Sequence, residues 1–324
     1  MSGSSRERRT LLVTGALGSF GRVAVRWLAQ DPRFEVYAVD VRDLDTRKGS
    51  GPSPIPDGVH YQKLDVRKRG FEDLVRKIHP EAIIHLAMVR RFGFDAAQRH
   101  RINFEGTAKV FEVGRRLNVK KMVFSSRATV YGALPDQPQF VTEEHPPSAG
   151  RTFPEMQDLV AADLYVSQML WRYPDVETVL LRPVNVLGPS VSTLLNRYLG
   201  RRRVFTVLGF DPIQQVLHES DLGLAFERAL QPGVRGVFNV AGPGQVPLHV
   251  LVQETGASGV ALPESLIGAL RGRLGFPEIP RGAIEYLKYP CTVDGIRFVA
   301  ETGFAPRHDL VSTLRAVPRG PRAP

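Results

Sequence analysis

The sequence predicts an α/β fold, a doubly wound parallel sheet followed by a smaller C-terminal domain. Two observations support this prediction. In the first half, short apolar runs that are typical of buried strands alternate with segments that have helical apolar periodicity. Strands separated by helices indicate parallel βαβ units. After Asn185 the pattern changes, because prolines, glycines and short elements dominate, as expected of a smaller domain beside the sheet.

The predicted elements follow one another in regular order. Strands are predicted at 10–15, 34–40, 59–66, 81–88, 120–126 and 176–183. Between them we predict a helix with the sequence FGRVAVRWLAQ, a short helix after residue 66, and longer helices over 95–117 and 154–173. The segment 214–230 is predicted to be a strand that turns into a helix.

The domain organisation follows from this change of pattern. We predict a first domain over 1–185, to which 212–240 returns and which contains the segment TGALGSFG, typical of dinucleotide-binding domains. A second, substrate-binding domain is predicted over most of 186–315. The tail 316–324 is rich in proline and arginine and is predicted to be disordered.

Composition limits the possible classes of function. The net charge is +10, from 43 basic and 33 acidic residues, but the basic residues are spread along the chain, which argues against nucleic acid as a partner. Arg201 and Arg203 belong to a basic cluster that is a candidate for holding an anionic substrate. No apolar run is long enough to span a membrane, and one cysteine excludes an internal disulfide, so we expect a cytoplasmic protein.

A glycine-rich turn joins the first predicted strand to the first predicted helix. In TGALGSFG, Gly15, Gly18 and Gly21 have the spacing that allows a tight turn, a close approach of the backbone to a pyrophosphate, and close helix–strand packing. The helix N-terminus then offers a positive dipole to phosphates. The predicted cofactor contacts in this loop also include Leu17, Ser19 and Phe20. The alternative interpretation is a turn that serves packing alone.

The end of the second predicted strand indicates which dinucleotide is bound. Asp40 stands where an acidic residue accepts hydrogen bonds from the adenosine ribose hydroxyls, and a carboxylate there repels a 2′-phosphate. NAD is therefore favoured over NADP, although Arg42 lies nearby and leaves NADP possible.

These motifs together resemble the extended short-chain dehydrogenase/reductase family, the group of nucleotide-sugar epimerases and dehydratases. The resemblance extends through nearly the whole chain. It is carried by TGALGSFG, VD at 39–40, LDV at 64–66, HLA at 85–87, NFEGT at 103–107, FSSRATVYG, LRPVNVLGP at 181–189, HESDL at 218–222, GVFNVAG at 236–242 and ETGFAP. It implies a Rossmann-type fold, NAD as the cofactor, a small-molecule substrate and a homodimer formed through the helices at 95–117 and 154–173.

The resemblance also implies which further residues contact the ligands. Asp65 and Val66 are expected to flank the adenine, Pro183 to lie near the nicotinamide, and Asn185 to face the substrate. The remaining expected cofactor contacts are Leu86, Ala87, Met88, Asn103 and Ser125.

The family's catalytic residues are absent from the matching positions. The catalytic hydroxyl stands four residues before the tyrosine of Tyr-Gly, and counting back from Tyr131 gives Arg127. The active tyrosine and lysine, spaced Tyr-x-x-x-Lys, become Glu155 and Leu159, in a register supported by Asp163. The tyrosine exchanges a proton while hydride moves to or from the nicotinamide, and the lysine lowers the tyrosine's pKa. All three groups are replaced here.

Several roles remain open for the replacements. Arg127 and Glu155 are expected to form a short ion pair, or Arg127 is expected to bind an anionic ligand. The third possibility is that Arg127 points to solvent. Glu155, Tyr131 or a water molecule are the candidate replacement acids. Leu159 fits the apolar face of its helix, so packing is its expected role.

The histidines offer no spacing typical of a metal site. We expect His85 to be a hydrogen-bonded residue at a strand end, and Asp221, after His218, to cap the helix that follows. Two functions stay open. The first is an atypical NAD(P)-dependent oxidoreductase or epimerase for a nucleotide-sugar-like or other polar carbonyl or alcohol substrate. The second is a non-catalytic NAD-binding pseudoenzyme that acts as a sensor or scaffold, with a protein as its partner.

Overall fold

The computed structural model describes residues 8–44, 53–89, 95–270 and 280–318. The last six residues of the predicted disordered tail, 319–324, lie outside the described residues. Within the described ranges no helix is both long and apolar enough to cross a membrane.

The described chain contains thirteen strands. They are β1 (Arg9–Thr14), β2 (Phe34–Asp40), β3 (His60–Lys63), β4 (Ala82–His85), β5 (Lys121–Ser125), β6 (Glu177–Pro183), β7 (Asn185–Leu187), β8 (Arg203–Val207), β9 (Ile213–Gln214), β10 (Val216–His218), β11 (Gly236–Val240), β12 (Val246–Pro247) and β13 (Ser258–Leu262).

Eleven α-helices accompany these strands in the described ranges. They are α1 (Ser19–Leu28), α2 (Arg69–Ile78), α3 (Ala96–His100), α4 (Gly106–Arg116), α5 (Gln157–Arg172), α6 (Leu194–Leu199), α7 (Glu219–Ala229), α8 (Leu248–Glu254), α9 (Glu264–Leu270), α10 (Ile296–Thr302) and α11 (Leu310–Arg315).

Seven strands form one sheet, in the order β11-β6-β5-β4-β1-β2-β3. The pairs β3–β2, β2–β1, β1–β4 and β4–β5 are parallel. The strand order reverses between β1 and β4, which is the topological switch point where ligands bind in open α/β sheets. The predicted doubly wound Rossmann-type sheet is therefore confirmed.

Packing divides the chain into two compact units. The first comprises the described residues of 1–125, 164–180 and 222–237, and the second comprises those of 126–163, 181–221 and 238–324. This division follows packing alone and does not show which residues bind cofactor or substrate. The predicted boundary at residue 185 between a cofactor domain and a substrate domain therefore remains a prediction.

Each unit has its own apolar core. In the first unit Leu12, Ile83 and Phe111 are fully buried and belong to a cluster that packs α2 and α4 on the sheet. In the second unit Leu187, Leu248 and their neighbours form a separate cluster around the two-stranded sheets β7–β10 and β8–β13. Burial of such side chains contributes about 1.5–3 kcal/mol each to folding.

The long helix predicted over 95–117 is interrupted. Between α3 and α4 the chain forms one π-helical turn, Arg101–Glu105, in which the amide of Gly106 bonds to the carbonyl of Arg101. Such turns occur frequently at functional sites. Here the turn includes Asn103, whose amide oxygen accepts a hydrogen bond from the backbone N–H of Val89 at 2.7 Å and whose amide nitrogen donates to the Val89 carbonyl at 2.9 Å.

Candidate functional site

The glycine loop after β1 is compact because its glycines approach backbone atoms closely. Gly15 has a φ of +69°, and a Cβ there would lie 2.6 Å from backbone atoms of Leu86 and Ala87. A Cβ on Gly21 would lie 2.0 Å from the carbonyl oxygen of Gly15. These distances are shorter than any atomic contact allows, so the loop requires glycine at both positions.

Helix α1 starts directly after this loop. Its N-cap residue is Gly18, which has no side chain to cap the first turn. The positive end of the helix dipole therefore has no acidic side chain in the first turn to neutralise it. A glycine turn followed by a ten-residue helix with this N-terminus fits the pyrophosphate of a dinucleotide.

Asp40 is held firmly at the end of β2. Its carboxylate is only 6% exposed and accepts a hydrogen bond from the Leu17 N–H at 3.0 Å. The half-exposed Arg42 guanidinium forms a bidentate pair with it, through Nε at 3.0 Å and Nη2 at 3.1 Å. Asp40 thus ties the glycine loop to the end of the second strand, which is the arrangement that ribose recognition requires.

Arg22 is a member of this site that the sequence did not single out. Burial, and then the positive charges of Arg42 and Arg26, lower the pKa of its guanidinium. Its Nε is buried and has no hydrogen-bond partner among the described residues. An orphaned donor beside Asp40 and Arg42 is the feature that a bound nucleotide would satisfy. The only available signal was its position, one residue after Gly21.

The other predicted cofactor residues are distributed around this edge of the first unit. The Asp65 carboxylate is paired with Arg67 at 2.7 Å, and Val66 and Leu86 are buried. Asn103 fastens the segment that follows β4, as described above. Ser19, Phe20, Ala87, Met88 and Ser125 all belong to the described residues, and Ser125 ends β5. Which of them contact a cofactor remains a prediction.

His85 lies inside the first unit in a complete hydrogen-bond chain. The Thr14 hydroxyl donates to Nδ1 at 2.8 Å, and Nε2–H donates to the Thr107 hydroxyl at 3.2 Å. The Thr107 hydroxyl in turn donates to the Asn103 carbonyl at 2.6 Å, which fixes this tautomer. Burial lowers the pKa of His85 to about 3, so the ring is neutral at physiological pH.

We expect His85 to make the stability of the protein fall in acid. The folded-state pKa of about 3 lies below the unfolded value of about 6.5, so the unfolded chain takes up the proton first. The contribution of the neutral ring to stability is complete above pH 6.5 and is lost as the pH falls towards 3. At pH 5 the loss is about 2 kcal/mol. Urea unfolding at pH 7 and pH 5 would measure it.

A matched pair of variants isolates this effect from the titration of carboxylates. His85→Gln is expected to remove most of the difference that His85 causes between the two pH values, whereas His60→Gln, at an exposed histidine, leaves the difference unchanged. An identical pH dependence in the wild type and His85→Gln would show that the buried ring is not responsible.

In the second unit, Arg127 and Glu155, which we predicted to stand at the family's catalytic positions, do not pair. Both are half-buried, and neither forms a hydrogen bond or an ion pair with any described residue. The expected Arg127–Glu155 ion pair is therefore wrong. Leu159 is 5% exposed and packs in the interior, in agreement with its apolar character.

Tyr131 belongs to a buried polar network. Its hydroxyl donates to the Asn239 side-chain oxygen at 2.9 Å and accepts from Arg182 at 2.7 Å, while Arg182 forms a bidentate pair with Asp163 at 2.6 and 3.0 Å. The Asn239 N–H bonds to Glu143 at 2.7 Å. Burial raises the pKa of Tyr131 to about 12. Because the proton is committed to Asn239 and the ring is 2% exposed, Tyr131 is poorly suited to be a replacement acid.

Asp221 has a different role from the one expected. Instead of capping α7, its two oxygens accept hydrogen bonds from the backbone amides of Arg307 at 2.8 Å and His308 at 3.2 Å. The expected helix cap is therefore wrong: the carboxylate fixes a segment 86 residues away in the chain.

This fold also brings His218, Asp221 and His308 together, with one potential ligand atom from each within 4.8 Å of the others. The two imidazole rings stack, with centroids 3.7 Å apart and planes 22° apart. The nitrogen lone pairs of the two nearly parallel imidazole rings cannot both point at one ion. The Asp221 oxygens already accept hydrogen bonds from backbone amides. The cluster therefore lacks the geometry of a metal site.

The predicted substrate residues differ in their surroundings. Asn185 starts β7 and is half-buried, opposite Val216 in the parallel pair with β10. Arg201 and Arg203 are exposed. Pro183, a predicted cofactor contact near the nicotinamide, is buried at the end of β6. Their contacts with a ligand remain predictions.

Comparisons with known proteins agree with this fold. The chain is 29% identical to the uncharacterized protein Rv0501 of Mycobacterium tuberculosis, over 96% of this chain and 84% of that protein. It is similar in structure to UDP-glucose-4-epimerase from Stenotrophomonas maltophila, which was solved with bound NAD and formylated UDP-arabinopyranose. The TM-score is 0.74 and the sequence identity is 20%, and the match covers 96% of this chain and 97% of that chain. A further similar structure is MoeE5 in complex with UDP-glucuronic acid and NAD, with a TM-score of 0.73 and 20% identity over 95% and 97%.

The sequence model of the NAD dependent epimerase/dehydratase family matches residues 11–241, which include the glycine loop, Asp40 and the positions of Arg127 and Glu155. The family expected from the motifs is thereby confirmed, and NAD is the cofactor that its description gives. The chain belongs to the NAD dependent epimerase/dehydratase family.

Proposed function

We propose that this protein binds NAD through its first unit and is an atypical oxidoreductase or epimerase for a polar carbonyl or alcohol substrate such as a nucleotide sugar. The observation that carries the proposal is the glycine loop, closed against Leu86 and Ala87 and tied by Leu17 to Asp40. In this proposal the loop holds the pyrophosphate, Asp40 binds the adenosine ribose, and Arg22 supplies a further donor. Bound NAD supplies the hydride chemistry.

Glu155 is the group we propose for proton transfer. It stands at the family's tyrosine position, is half-buried, and has no hydrogen bond or ion pair within the described parts of the chain. Its carboxylate is therefore available to take a proton from, or return one to, a substrate hydroxyl. The family's lysine has no counterpart, because Leu159 is apolar and buried.

Turnover tests this role directly. In assays of NADH oxidation with a panel of keto substrates, including nucleotide 4-keto sugars, Glu155→Gln is expected to lower kcat by about 100-fold, the usual contribution of a general acid–base group. Glu254→Gln, at an exposed glutamate, serves as the matched control and should retain wild-type activity. Equal activity of Glu155→Gln and the wild type would exclude Glu155 as the acid.

The second candidate is a non-catalytic NAD-binding sensor or scaffold. One observation favours it: all three catalytic positions have changed together, and the lysine position is now part of the core. Tight NAD binding by the wild type without turnover of any substrate in the panel would support this second function over the first.

We also propose that the protein is a homodimer. Leu164 and Trp171, seven residues apart on α5, lie on one face of the helix and are 42% and 81% exposed. Large apolar side chains exposed together on one helix face are typical of a protein–protein interface. In sedimentation equilibrium, Trp171→Glu is expected to shift a wild-type dimer to monomer, whereas Val299→Glu, at another exposed apolar residue, leaves the dimer intact. A monomeric wild type would contradict the proposal.

A further inference from the structure

Arg127 is a half-buried cation without a counter-charge among the described residues. It follows β5 directly and precedes the single turn Ala128–Tyr131. The residue is half-buried, and its guanidinium makes no hydrogen bond and no ion pair with any residue the structure describes. Protein cations that leave water are nearly always paired, because desolvation without a partner is costly.

Polar groups surround Arg127, but no carboxylate of the described residues pairs with it. The Tyr286 hydroxyl donates to the Thr129 carbonyl at 2.6 Å, and the Cys291 thiol lies 3.5 Å from the Ala128 carbonyl. Tyr286 is the ionisable group that acts on Arg127 electrostatically, and burial lowers the pKa of Arg127 to about 10. The guanidinium is still charged at neutral pH.

A second unsatisfied group lies two residues further along the chain. The Thr129 side-chain oxygen is buried and has no hydrogen-bond partner among the described residues. Tyr286 connects this turn to the segment that carries Glu155, because its ring packs against Phe153 with centroids 6.2 Å apart. The Arg127 guanidinium and the Thr129 hydroxyl can both donate hydrogen bonds. An acceptor bound beside them would satisfy both groups.

We propose that Arg127 binds an oxyanion of the substrate, a carboxylate or a phosphate, with Thr129 and Tyr286 lining the same site. The guanidinium fork suits such a group, because it can donate two parallel hydrogen bonds to it. The inference rests on the proposed function and deepens it by naming the class of substrate: a compound with a carboxylate or phosphate at the place where a catalytic hydroxyl would orient an uncharged group.

Two matched pairs of probes distinguish the source of the oxyanion. UDP-glucuronate and UDP-glucose differ at the sugar by one carboxylate, and inorganic phosphate is compared with chloride at equal ionic strength. Calorimetric titrations use the full-length wild type saturated with NAD, the variant Arg127→Gln, and Arg315→Gln as a control at an exposed arginine with no assigned binding role. Arg127→Lys keeps the charge without the fork and should retain part of the preference.

We expect the wild type and Arg315→Gln to bind UDP-glucuronate about tenfold or more tightly than UDP-glucose, or phosphate about tenfold or more tightly than chloride, as charge-assisted hydrogen bonds allow. Arg127→Gln should bring the ratio to about one. An unchanged ratio in Arg127→Gln, or no preference in the wild type, would overturn the proposal.

Two additional readouts separate this result from misfolding and from failure of the proposed function. Arg127→Gln should unfold at a temperature no lower than the wild type without ligand, and about 2 °C higher if the lost charge was uncompensated. Its NAD affinity should equal that of the wild type, because no cofactor contact is assigned to Arg127. Loss of NAD binding in every protein would refute the proposed function while leaving the oxyanion ratios interpretable in titrations without NAD.

Discussion

Asp163→Asn is expected to destabilise the protein by about 3–5 kcal/mol, because it leaves the Arg182 guanidinium buried without its counter-charge. The two side chains are 0% and 3% exposed and share two hydrogen bonds, at 2.6 and 3.0 Å. Burial alone would lower the pKa of Arg182, but the charge and hydrogen bonds of Asp163 outweigh burial and raise it above the ordinary value.

Urea unfolding followed by circular dichroism measures this loss. Asparagine preserves the shape of the side chain, so the loss reports the charge rather than a cavity. Asp175→Asn, at an exposed aspartate, is the control and should change the free energy of unfolding by less than about 0.5 kcal/mol. A loss below about 1 kcal/mol for Asp163→Asn would mean that water or a rearranged network compensates Arg182.

Gly21→Ala is expected to weaken NAD binding by about 100-fold, equivalent to about 2.7 kcal/mol. A Cβ would lie 2.0 Å from the Gly15 carbonyl oxygen and 2.8 Å from backbone atoms of Ala16, so the loop must move away from its present position. The backbone then loses its close approach to the pyrophosphate. Fluorescence titration with NADH measures the affinity.

A second glycine provides the control for this variant. Gly268 lies in α9, and a Cβ there would meet no atom within 4 Å, so Gly268→Ala should bind NADH as the wild type does. Equal affinities of Gly21→Ala and the wild type would mean that the loop is a packing turn and not a cofactor site.

The sequence predicted the sheet well because buried strands carry a local pattern. Strand β2 has the predicted bounds, Phe34–Asp40, and every residue from Ala38 to Asp40 is buried. Strand β3 is shorter than predicted, because Asp65 turns the chain by accepting a hydrogen bond from the Arg67 N–H at 3.0 Å. The π-helical turn at Arg101–Glu105 was not predictable, since one extra residue in a turn leaves almost no trace in apolar periodicity.

The candidate site was predictable where residue type alone decides. The glycine spacing and Asp40 predicted the loop, whereas the assignment of Arg127 and Glu155 to the catalytic positions, made by counting from Tyr131 and Asn185, stays a prediction. Side-chain partners were not predictable. The absence of an Arg127–Glu155 pair and the bonding of Asp221 to residues 307–308 depend on contacts between distant parts of the chain, which no local pattern contains.

Binding of a dinucleotide by the glycine loop and Asp40 is the step on which the proposed function depends. The most direct test is calorimetric titration of the purified protein with NAD, NADH, NADP and NADPH, after removal of any co-purified cofactor. We expect one site per chain for NAD and NADH, and binding of NADP and NADPH weaker by about tenfold or more, because Asp40 repels a 2′-phosphate. No binding of any dinucleotide would contradict it.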